Sequence, residues 1–295
     1  VKTQTKQRKM KSHIYCSVLA IGAVALAVAA PLQAATTITA KGSDTLVILA
    51  QKWAEVYMRA HPGVKIQVTG GGSGVGFAAL QNRQTDLANA SRPIKAREIE
   101  ACIKAFGKRP TEYKVAIDGL SVYVNSDNPV TEVTVEQLEQ VFTGKIKNWK
   151  ELGGSDMPIT VYSRENSSGT YEFFKEHVLK GKDFVASAQT MPGTAAVLQA
   201  VAKDKRGIGY GGAAYGAGAK HLLVKADANS PGIEPTEENV VSQKYPIWRY
   251  LYIYVNPALD KGEIAAYLRW IRSDEGQAVV KEVGYFPLPA HLREK

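Results

Sequence analysis

Short extended runs alternate with helical apolar patterns along most of this chain, and at four junctions the turn between them is made of serine, threonine, glycine, aspartate or arginine. Alternation of this kind predicts an α/β fold, with helices covering the faces of a sheet. The clearest junction is Ser163-Arg164-Glu165-Asn166-Ser167-Ser168-Gly169-Thr170-Tyr171. It follows a strand-like run from Pro158 to Tyr162 and opens a helical pattern through Phe173, Phe174, His177 and Val178. At a helix start the first backbone N–H groups lack partners, and the macrodipole puts partial positive charge on the same spot. Ser168 and Thr170 add hydroxyl donors, Gly169 admits a ligand close to the backbone, and Arg164 brings a planar fork of N–H groups. Everything assembled there donates hydrogen bonds to an anion. The same residues also make an ordinary Ser/Thr N-cap beside a surface arginine, so company elsewhere in the chain has to decide.

That company is found by reading the chain in order. Thr36 to Ala40 reads as a strand, Lys41-Gly42-Ser43-Asp44-Thr45 as a turn, and Leu46, Leu49, Ala50, Trp53, Val56 and Tyr57 recur at helical spacing. His61-Pro62-Gly63 stops that helix, and Val64 to Thr69 is the next strand. Gly70-Gly71-Gly72-Ser73-Gly74-Val75-Gly76 opens a helix through Phe77, Leu80 and Gln81. A short strand, Asp86 to Ala90, leads to Ser91-Arg92-Pro93 and a helix from about Lys95 to Phe106. Tyr113 to Ile117 and Leu120 to Val124 read as two extended runs separated by Asp118-Gly119. Beyond them come a helix over Val133 to Phe142, the anion stretch, a helix around Ala195 to Ala202 and a glycine-rich strand, Gly207 to Gly212. Residues 226–246 look polar and irregular, after which a strand, Tyr250 to Val255, precedes helices at Gly262 to Arg272 and Glu275 to Val283.

Ser43-Asp44-Thr45, Gly72-Ser73-Gly74 and Ser91-Arg92 thus repeat the logic of the Arg164 stretch, each after a strand and near a helix start. In an open α/β sheet, ligands bind in the crevice outside the strands' carboxyl ends, and helix starts there suit phosphate or sulfate. These turns fall on both sides of Asp118-Gly119, so a shared site requires a cleft between two lobes. The expected division is residues 36–118 plus 248–295 for the first lobe and 119–247 for the second.

The N-terminus carries a different message. Lys2, Lys6, Arg8, Lys9 and Lys11 precede an apolar run from Ser17 to Ala30 and the exit Pro31-Leu32-Gln33-Ala34-Ala35. Residues 1–35 therefore read as a secretory signal peptide, with Met10-Lys11 a compact alternative beginning, and the apolar run is short for a membrane span. Removing it takes away five basic residues and no acidic ones, which lowers the formal charge from +9 to +4. The high charge of the whole chain is then no footprint for nucleic acid. Cys102 is the one cysteine beyond this leader, so no intrachain disulfide is expected and the cores must hold the fold.

Rival chemistries lack their motifs. The glycine-rich turn is not followed by Lys-Ser or Lys-Thr, which argues against a nucleotide P-loop, and no G-x-S-x-G nucleophile elbow occurs. His61, His177 and His221 are isolated, so neither a metal nor a cofactor is expected. Trp53 and Trp149 read as core residues. Asp44 can be a simple helix N-cap, and Arg92 can pair with a carboxylate.

The segments Gly42 to Thr45 (GSDT), Gly70 to Gly76 (GGGSGVG), Asn89 to Ile94 (NASRPI), Phe142 to Gly154 (FTGKIKNWKELGG), Ser163 to Thr170 (SRENSSGT), Gly207 to Gly212 (GIGYGG) and Val283 to Leu288 (VGYFPL) span nearly the whole chain after the leader. In that order they resemble the periplasmic phosphate-binding components of bacterial phosphate ABC transporters. The resemblance implies a two-lobed periplasmic binding protein fold of type II, each lobe a mixed sheet flanked by helices, with the ligand cleft between. It implies an exported monomer in the periplasm that captures inorganic phosphate and hands it to a membrane permease, without catalysis. A phosphatase using the same cradle is the alternative. The phosphate ligands implied are Thr45 with the backbone N–H of Leu46, Ser73, and Arg164 with Ser168, Gly169 and Thr170; Ser43, Asp44, Ser91 and Arg92 lie in the same turns. Some members carry an aspartate where this chain has Arg92, and that aspartate accepts the proton of hydrogen phosphate. Asp44 or Glu165 is the replacement, with Asp44 preferred because it lies inside the first turn.

Overall fold

The computed structural model of the chain describes residues 36–216 and 219–293. The signal peptide expected over residues 1–35 lies outside the described residues. The first part alternates regularly: β1 (Thr36–Gly42), α1 (Val47–Ala60), β2 (Val64–Thr69), α2 (Ser73–Gln81), β3 (Leu87–Ala90), α3 (Ala96–Phe106) and the long β4 (Thr111–Val124). There follow β5 (Glu132–Thr134), α4 (Val135–Phe142), β6 (Thr160–Arg164), α5 (Gly169–His177), β7 (Gln189–Met191), α6 (Gly193–Lys203) and β8 (Gly207–Gly212). The last elements are β9 (Leu223–Lys225), α7 (Glu237–Val241), β10 (Trp248–Val255), α8 (Gly262–Arg272) and α9 (Asp274–Val283).

Local sequence explains the individual elements. Helix α1 buries Leu49, Ala50, Trp53, Ala54 and Tyr57 on one face, and Trp53 Nε1 donates to Gly276 O of α9 at 2.8 Å. Truncating Trp53 to alanine would cost about 3–5 kcal/mol of stability. Helix α4 opens with a reciprocal cap: Thr134 Oγ1 accepts from Gln137 N at 3.0 Å, and Gln137 Oε1 accepts from Thr134 N at 2.9 Å. Helix α3 stops at Gly107, whose φ of +81° suits the left-handed C-cap. Among the described residues no helix is long and apolar enough to cross a membrane.

One mixed sheet runs in the order β2-β1-β3-β10-β4-β8-β6-β7, beside a small parallel pair, β5-β9. β1 lies parallel to β2 and β3, whereas β10 is antiparallel to both β3 and β4. β8 is antiparallel to β4, and β6 is parallel to β8 and β7. These directions have a geometric consequence. The carboxyl ends of β1, β2 and β3 approach the middle of β4 from one half of the sheet, and those of β6 and β8 approach it from the other. Arg249 pairs with Asp118, and Gly212 pairs with Leu120, at that meeting point.

The expected break at Asp118-Gly119 is absent, because β4 runs through as one strand. Its first part pairs with β10 up to Gly119 and its second part with β8 from Leu120. The strand stays continuous because each half finds a ladder partner, so no backbone group there needs a turn. Residues 226–246 also hold more order than their polarity suggests, since α7 begins at a Thr236 cap that accepts from Asn239 N.

Apolar side chains collect on either side of this midpoint. One cluster joins Trp53, Tyr57, Tyr267 and Val280 to Ile38 and Leu251, and a smaller one joins Phe77, Leu80 and Cys102 to Tyr252 and Tyr254. Another gathers Leu138, Phe142, Trp149, Phe173, Phe174 and Tyr210 on Leu120, Val122 and Ile208. Trp53 and Trp149 are both fully buried, as their patterns suggest. Phe286 and Leu288, beyond α9, join the Phe142 cluster and leave the one that holds α8 and α9.

Candidate functional site

After β1, Ser43 enters a single 3-10 turn, Asp44–Leu46, that leads into α1. Ser43 N donates to Asn89 O at 2.9 Å, which holds this turn against β3. Two phenols grip its carbonyls from elements far along the chain. Tyr285 OH donates to Thr45 O at 2.6 Å, and Tyr215 OH donates to Asp44 O at 2.5 Å. Burial pushes the Tyr215 phenol up to about 12, so it remains a donor at neutral pH. Leu46 departs from expectation. Its side chain is buried in the Trp53 cluster and its N–H donates to Ser43 O at 3.1 Å. A tight 3-10 turn satisfies that N–H internally, so Leu46 does not present a free donor.

The turns after β2, β3 and β6 interlock. Ser91 N donates to Ser73 Oγ at 3.0 Å, the two hydroxyl oxygens lie 3.4 Å apart, and Gly74 N donates to Ser167 O at 2.9 Å. Gly169 makes this approach possible: a Cβ there would lie 2.2 Å from Ser73 Oγ and 2.8 Å from Ser91 Oγ. Gly72 has φ of +93°, and a Cβ on it would stand 2.4 Å from Ser167 O. At the start of α5, Ser168 Oγ accepts from Tyr171 N at 3.2 Å, so Ser168 caps the helix as its sequence suggests. Thr170 Oγ1 lies 2.8 Å from Thr45 Oγ1.

Arg164 ends β6 with its side chain buried. Its Nη2 donates to Asp44 Oδ2 at 2.7 Å and its Nη1 to Thr194 Oγ1 at 3.0 Å. Its Nε, also buried, has no hydrogen-bond acceptor among the described residues. A buried donor on a charged group is costly to leave unmade, so this N–H marks where an acceptor belongs. Asp44 Oδ1 accepts from Gly71 N at 2.8 Å, so Asp44 ties Arg164 to the glycine-rich turn; it caps neither the 3-10 turn, which Ser43 precedes, nor α1, which Leu46 precedes. Glu165 stands farther off, 3.8 Å from Arg164 Nη2 and partly exposed.

Arg92 is engaged elsewhere. Its Nη1 and Nη2 donate to the two carboxylate oxygens of Glu98 at 2.8 and 2.7 Å, and Nη1 also donates to Pro93 O at 2.9 Å. Its Nε faces Glu172 as an ion pair. A guanidinium whose donors are turned to two carboxylates is not offered to an anion, so Arg92 leaves the expected donor set. Ser91, one residue earlier, stays in it.

Sequence reasoning missed a second guanidinium. Arg249 on β10 is buried; its Nη2 donates to Thr170 Oγ1 at 3.1 Å and reaches Thr45 Oγ1 at 3.5 Å, and its Nη1 donates to Ser91 O at 3.0 Å. Its Nε and Nη2 hold Asp118 Oδ2 at 3.0 and 2.8 Å. Asp118 is wholly buried, and that burial pushes its carboxyl above the ordinary value while Arg249 and the Ala213 N–H pull it back. The signal was present in the sequence: a lone arginine inside Trp248-Arg249-Tyr250-Leu251 and a lone aspartate inside Val115-Ala116-Ile117-Asp118. Opposite charges in two apolar strands point to a buried pair.

Thr45, Ser73, Ser91, Ser168, Gly169 and Thr170 are therefore brought into one region with Arg164 and Arg249, each arginine balanced by an aspartate. Such a site selects an anion by placed N–H and O–H donors more than by net charge. Among the described residues no group of three or more His, Cys, Asp or Glu side chains is arranged to hold a metal ion.

Known proteins resemble this chain over most of its length. The profile of the PBP superfamily domain matches residues 27–275. The phosphate-binding protein PstS of Pseudomonas aeruginosa is 36% identical over 271 residues, covering 86% of this chain and 84% of its own. That of Staphylococcus epidermidis is 34% identical over 257 residues, covering 84% and 78%. Among solved structures, a phosphate ABC transporter substrate-binding protein of Clostridium perfringens with bound phosphate superposes with a TM-score of 0.78 at 28% identity, covering 86% of this chain and 100% of that one. An ABC-type phosphate transport receptor of Vibrio cholerae gives 0.68 at 26% identity, with 86% and 100% covered.

Proposed function

This chain belongs to the PstS family of phosphate-binding proteins within the PBP superfamily, and from that premise we propose how it holds and delivers its ligand. It is a substrate-binding protein of the phosphate ABC transporter type, capturing phosphate without catalysis. The anion is seated by the hydroxyls of Thr45, Ser73, Ser91 and Thr170, the N–H groups opening α5 at Gly169 and Thr170, and the guanidinium group of Arg164, while Arg249 holds Thr45, Thr170 and Ser91 in place for it. Ser43, Asp44 and Ser168 shape the turns that carry these donors. The observation that supports this reading most is the unpartnered, buried Arg164 Nε beside four converging turns.

The seat lies between two lobes, residues 36–118 with 248–295 and residues 119–247, hinged where β4 passes from its ladder with β10 to its ladder with β8. The described clusters on either side of Asp118 support that division. Phe286 and Leu288, which join the second cluster, act as a further tie at the hinge. The chain works as a monomer outside the cytoplasmic membrane, exported by the leader over residues 1–35, and passes phosphate to a membrane permease.

Isothermal titration of phosphate-stripped protein with phosphate, sulfate and arsenate tests the assignment, with p-nitrophenyl phosphate turnover measured on the same sample. One phosphate per chain and no turnover are expected. Absence of phosphate binding, or steady hydrolysis, would overturn the reading.

A further inference from the structure

Beside the anion seat lies a second, carboxylate-rich cluster of Arg92, Lys95, Glu98, Glu172 and Glu176. Arg92 follows Ser91, and Glu172 lies in the first turn of α5, which begins at Gly169. Between them the proposed lobes touch through charge: Arg92 Nε faces Glu172 Oε2, and Lys95 Nζ lies 2.9 Å from the same oxygen. Glu176, one helical turn on, stands 3.8 Å from Lys95 Nζ. The arginine and Glu172 are largely buried, with side-chain exposures of 4% and 15%. The Arg92 guanidinium also lies over the Phe77 ring of α2, 4.9 Å from its centroid.

We propose that Glu172, held by Arg92 and Lys95, is a positioning residue for phosphate: it clamps the start of α5 over Ser73 and Ser91 when the lobes close. The inference rests on the two-lobe reading above and deepens it. Charge arithmetic supports a clamp over a purely structural pair. Glu98 already takes two donors of Arg92, so the arginine needs no second carboxylate for its own neutralisation. Glu172 is the one carboxylate of this cluster reached by both cations. It comes from the opposite lobe, and its helix start is the one that carries Gly169 and Thr170. A partner contributed across a cleft is made on closing and broken on opening, so its effect falls on the liganded state. Pairs of this buried kind act chiefly on dissociation.

The test is Glu172→Gln, which keeps the side chain's size and leaves Arg92 paired with Glu98. Phosphate affinity should fall about tenfold, nearly all of it as faster dissociation in stopped-flow measurements. The melting temperature of the phosphate-free protein should stay at the wild-type value, while the gain on adding phosphate shrinks. Lys95→Gln in the Glu172→Gln background should add little further loss, because the shared partner is already gone. Glu176→Gln, on the exposed rim, should change affinity less than about twofold. Wild-type affinity and dissociation rate in Glu172→Gln would overturn the proposal. So would an equal drop in melting temperature with and without phosphate, which marks a merely structural pair. A wild-type protein that binds no phosphate is a different result and takes down the functional reading with it.

Discussion

Thr45 and Thr170 meet hydroxyl to hydroxyl at 2.8 Å, although 125 residues separate them and they follow strands in different halves of the sheet. Arg249 Nη2 reaches both oxygens from below, and Asp118 fixes the guanidinium in that position. Arg249 with Asp118, like Arg164 with Asp44, is thus an ion pair placed where the two halves of the sheet meet.

The first prediction separates the two roles of that pair. Arg249→Met strands the Asp118 carboxylate in the interior and should cost about 3–5 kcal/mol of stability. Adding Asp118→Asn removes the stranded charge while its amide oxygen still accepts from Ala213 N, which now bonds Asp118 Oδ1 at 3.2 Å. Urea denaturation should show most of the stability restored. Phosphate titration should show the double variant still weak, because the donor to Thr45 and Thr170 has not returned. Full recovery of affinity would remove Arg249 from the seat.

Arg164 should matter more than any single hydroxyl. A charge-assisted hydrogen bond contributes roughly 1.5–3 kcal/mol, against about 0.5–1.5 for a neutral one. Arg164→Ala also frees Asp44 from the donor at 2.7 Å, leaving an aspartate facing the anion uncompensated. Calorimetry should therefore rank Arg164→Ala below Ser73→Ala in affinity. Equal losses would mean that Arg164 only braces Asp44 and Thr194.

Much of this site was legible because its logic is local. Ser168-Gly169-Thr170 and Gly72-Ser73-Gly74 announce helix starts through residue types that serve backbone geometry, and such signals survive without tertiary context. Arg92 divided the readings because a polar turn residue looks the same whether its partner is a ligand or a carboxylate; the carboxylate reading holds, with Glu98 six residues on taking two of its donors and Glu172 of α5 facing the third. Arg249, Asp118, Tyr215 and Tyr285 went unseen for a related reason. Each acts across the sheet, and the register that pairs Arg249 with Asp118 is set by strands that sequence order keeps 131 residues apart. The continuity of β4 through Asp118-Gly119 likewise depends on β10 and β8 arriving as partners, which no local turn signal encodes.

A prediction about acid stability comes from the far side of the second half. Glu139 is buried on α4, and hydrogen bonds from Lys182 and then Lys180 hold its carboxyl down from 4.5 to about 2. A depressed carboxylate stabilises the fold above its unfolded value and loses that contribution as pH falls through the folded one. The window is thus from 4.5 down to about 2. Glu139→Gln should lower the urea midpoint at neutral pH, and the gap to wild type should close progressively across that window. A gap unchanged down to its lower end would show that the lysines do not hold the charge.

The last prediction concerns how the site tells phosphate from sulfate. Hydrogen phosphate carries a proton that a carboxylate can accept, whereas sulfate has none and meets that carboxylate as an unpaired, repelled oxygen. Arg92 is committed to Glu98 and Glu172, so the discriminating acceptor has to be sought among the carboxylates near the seat. Asp44 is placed for it, because it touches Arg164 and the glycine-rich turn and its oxygens keep further lone pairs. Asp44→Asn should weaken phosphate by about tenfold, the worth of one charge-assisted bond, while sulfate binding holds or improves because the amide can donate. Arg92→Ala should weaken both anions in similar proportion, since it acts on the Glu172 clamp and not on the proton. Titrating both variants with both anions decides between the roles. An Asp44→Asn protein that rejects sulfate as firmly as wild type would pass the acceptor's role to Asp118 or Glu165. Asp118→Asn in the same titration then separates those two, because Asp118 is joined to Thr45 and Thr170 through Arg249 while Glu165 stands 3.8 Å from Arg164 Nη2.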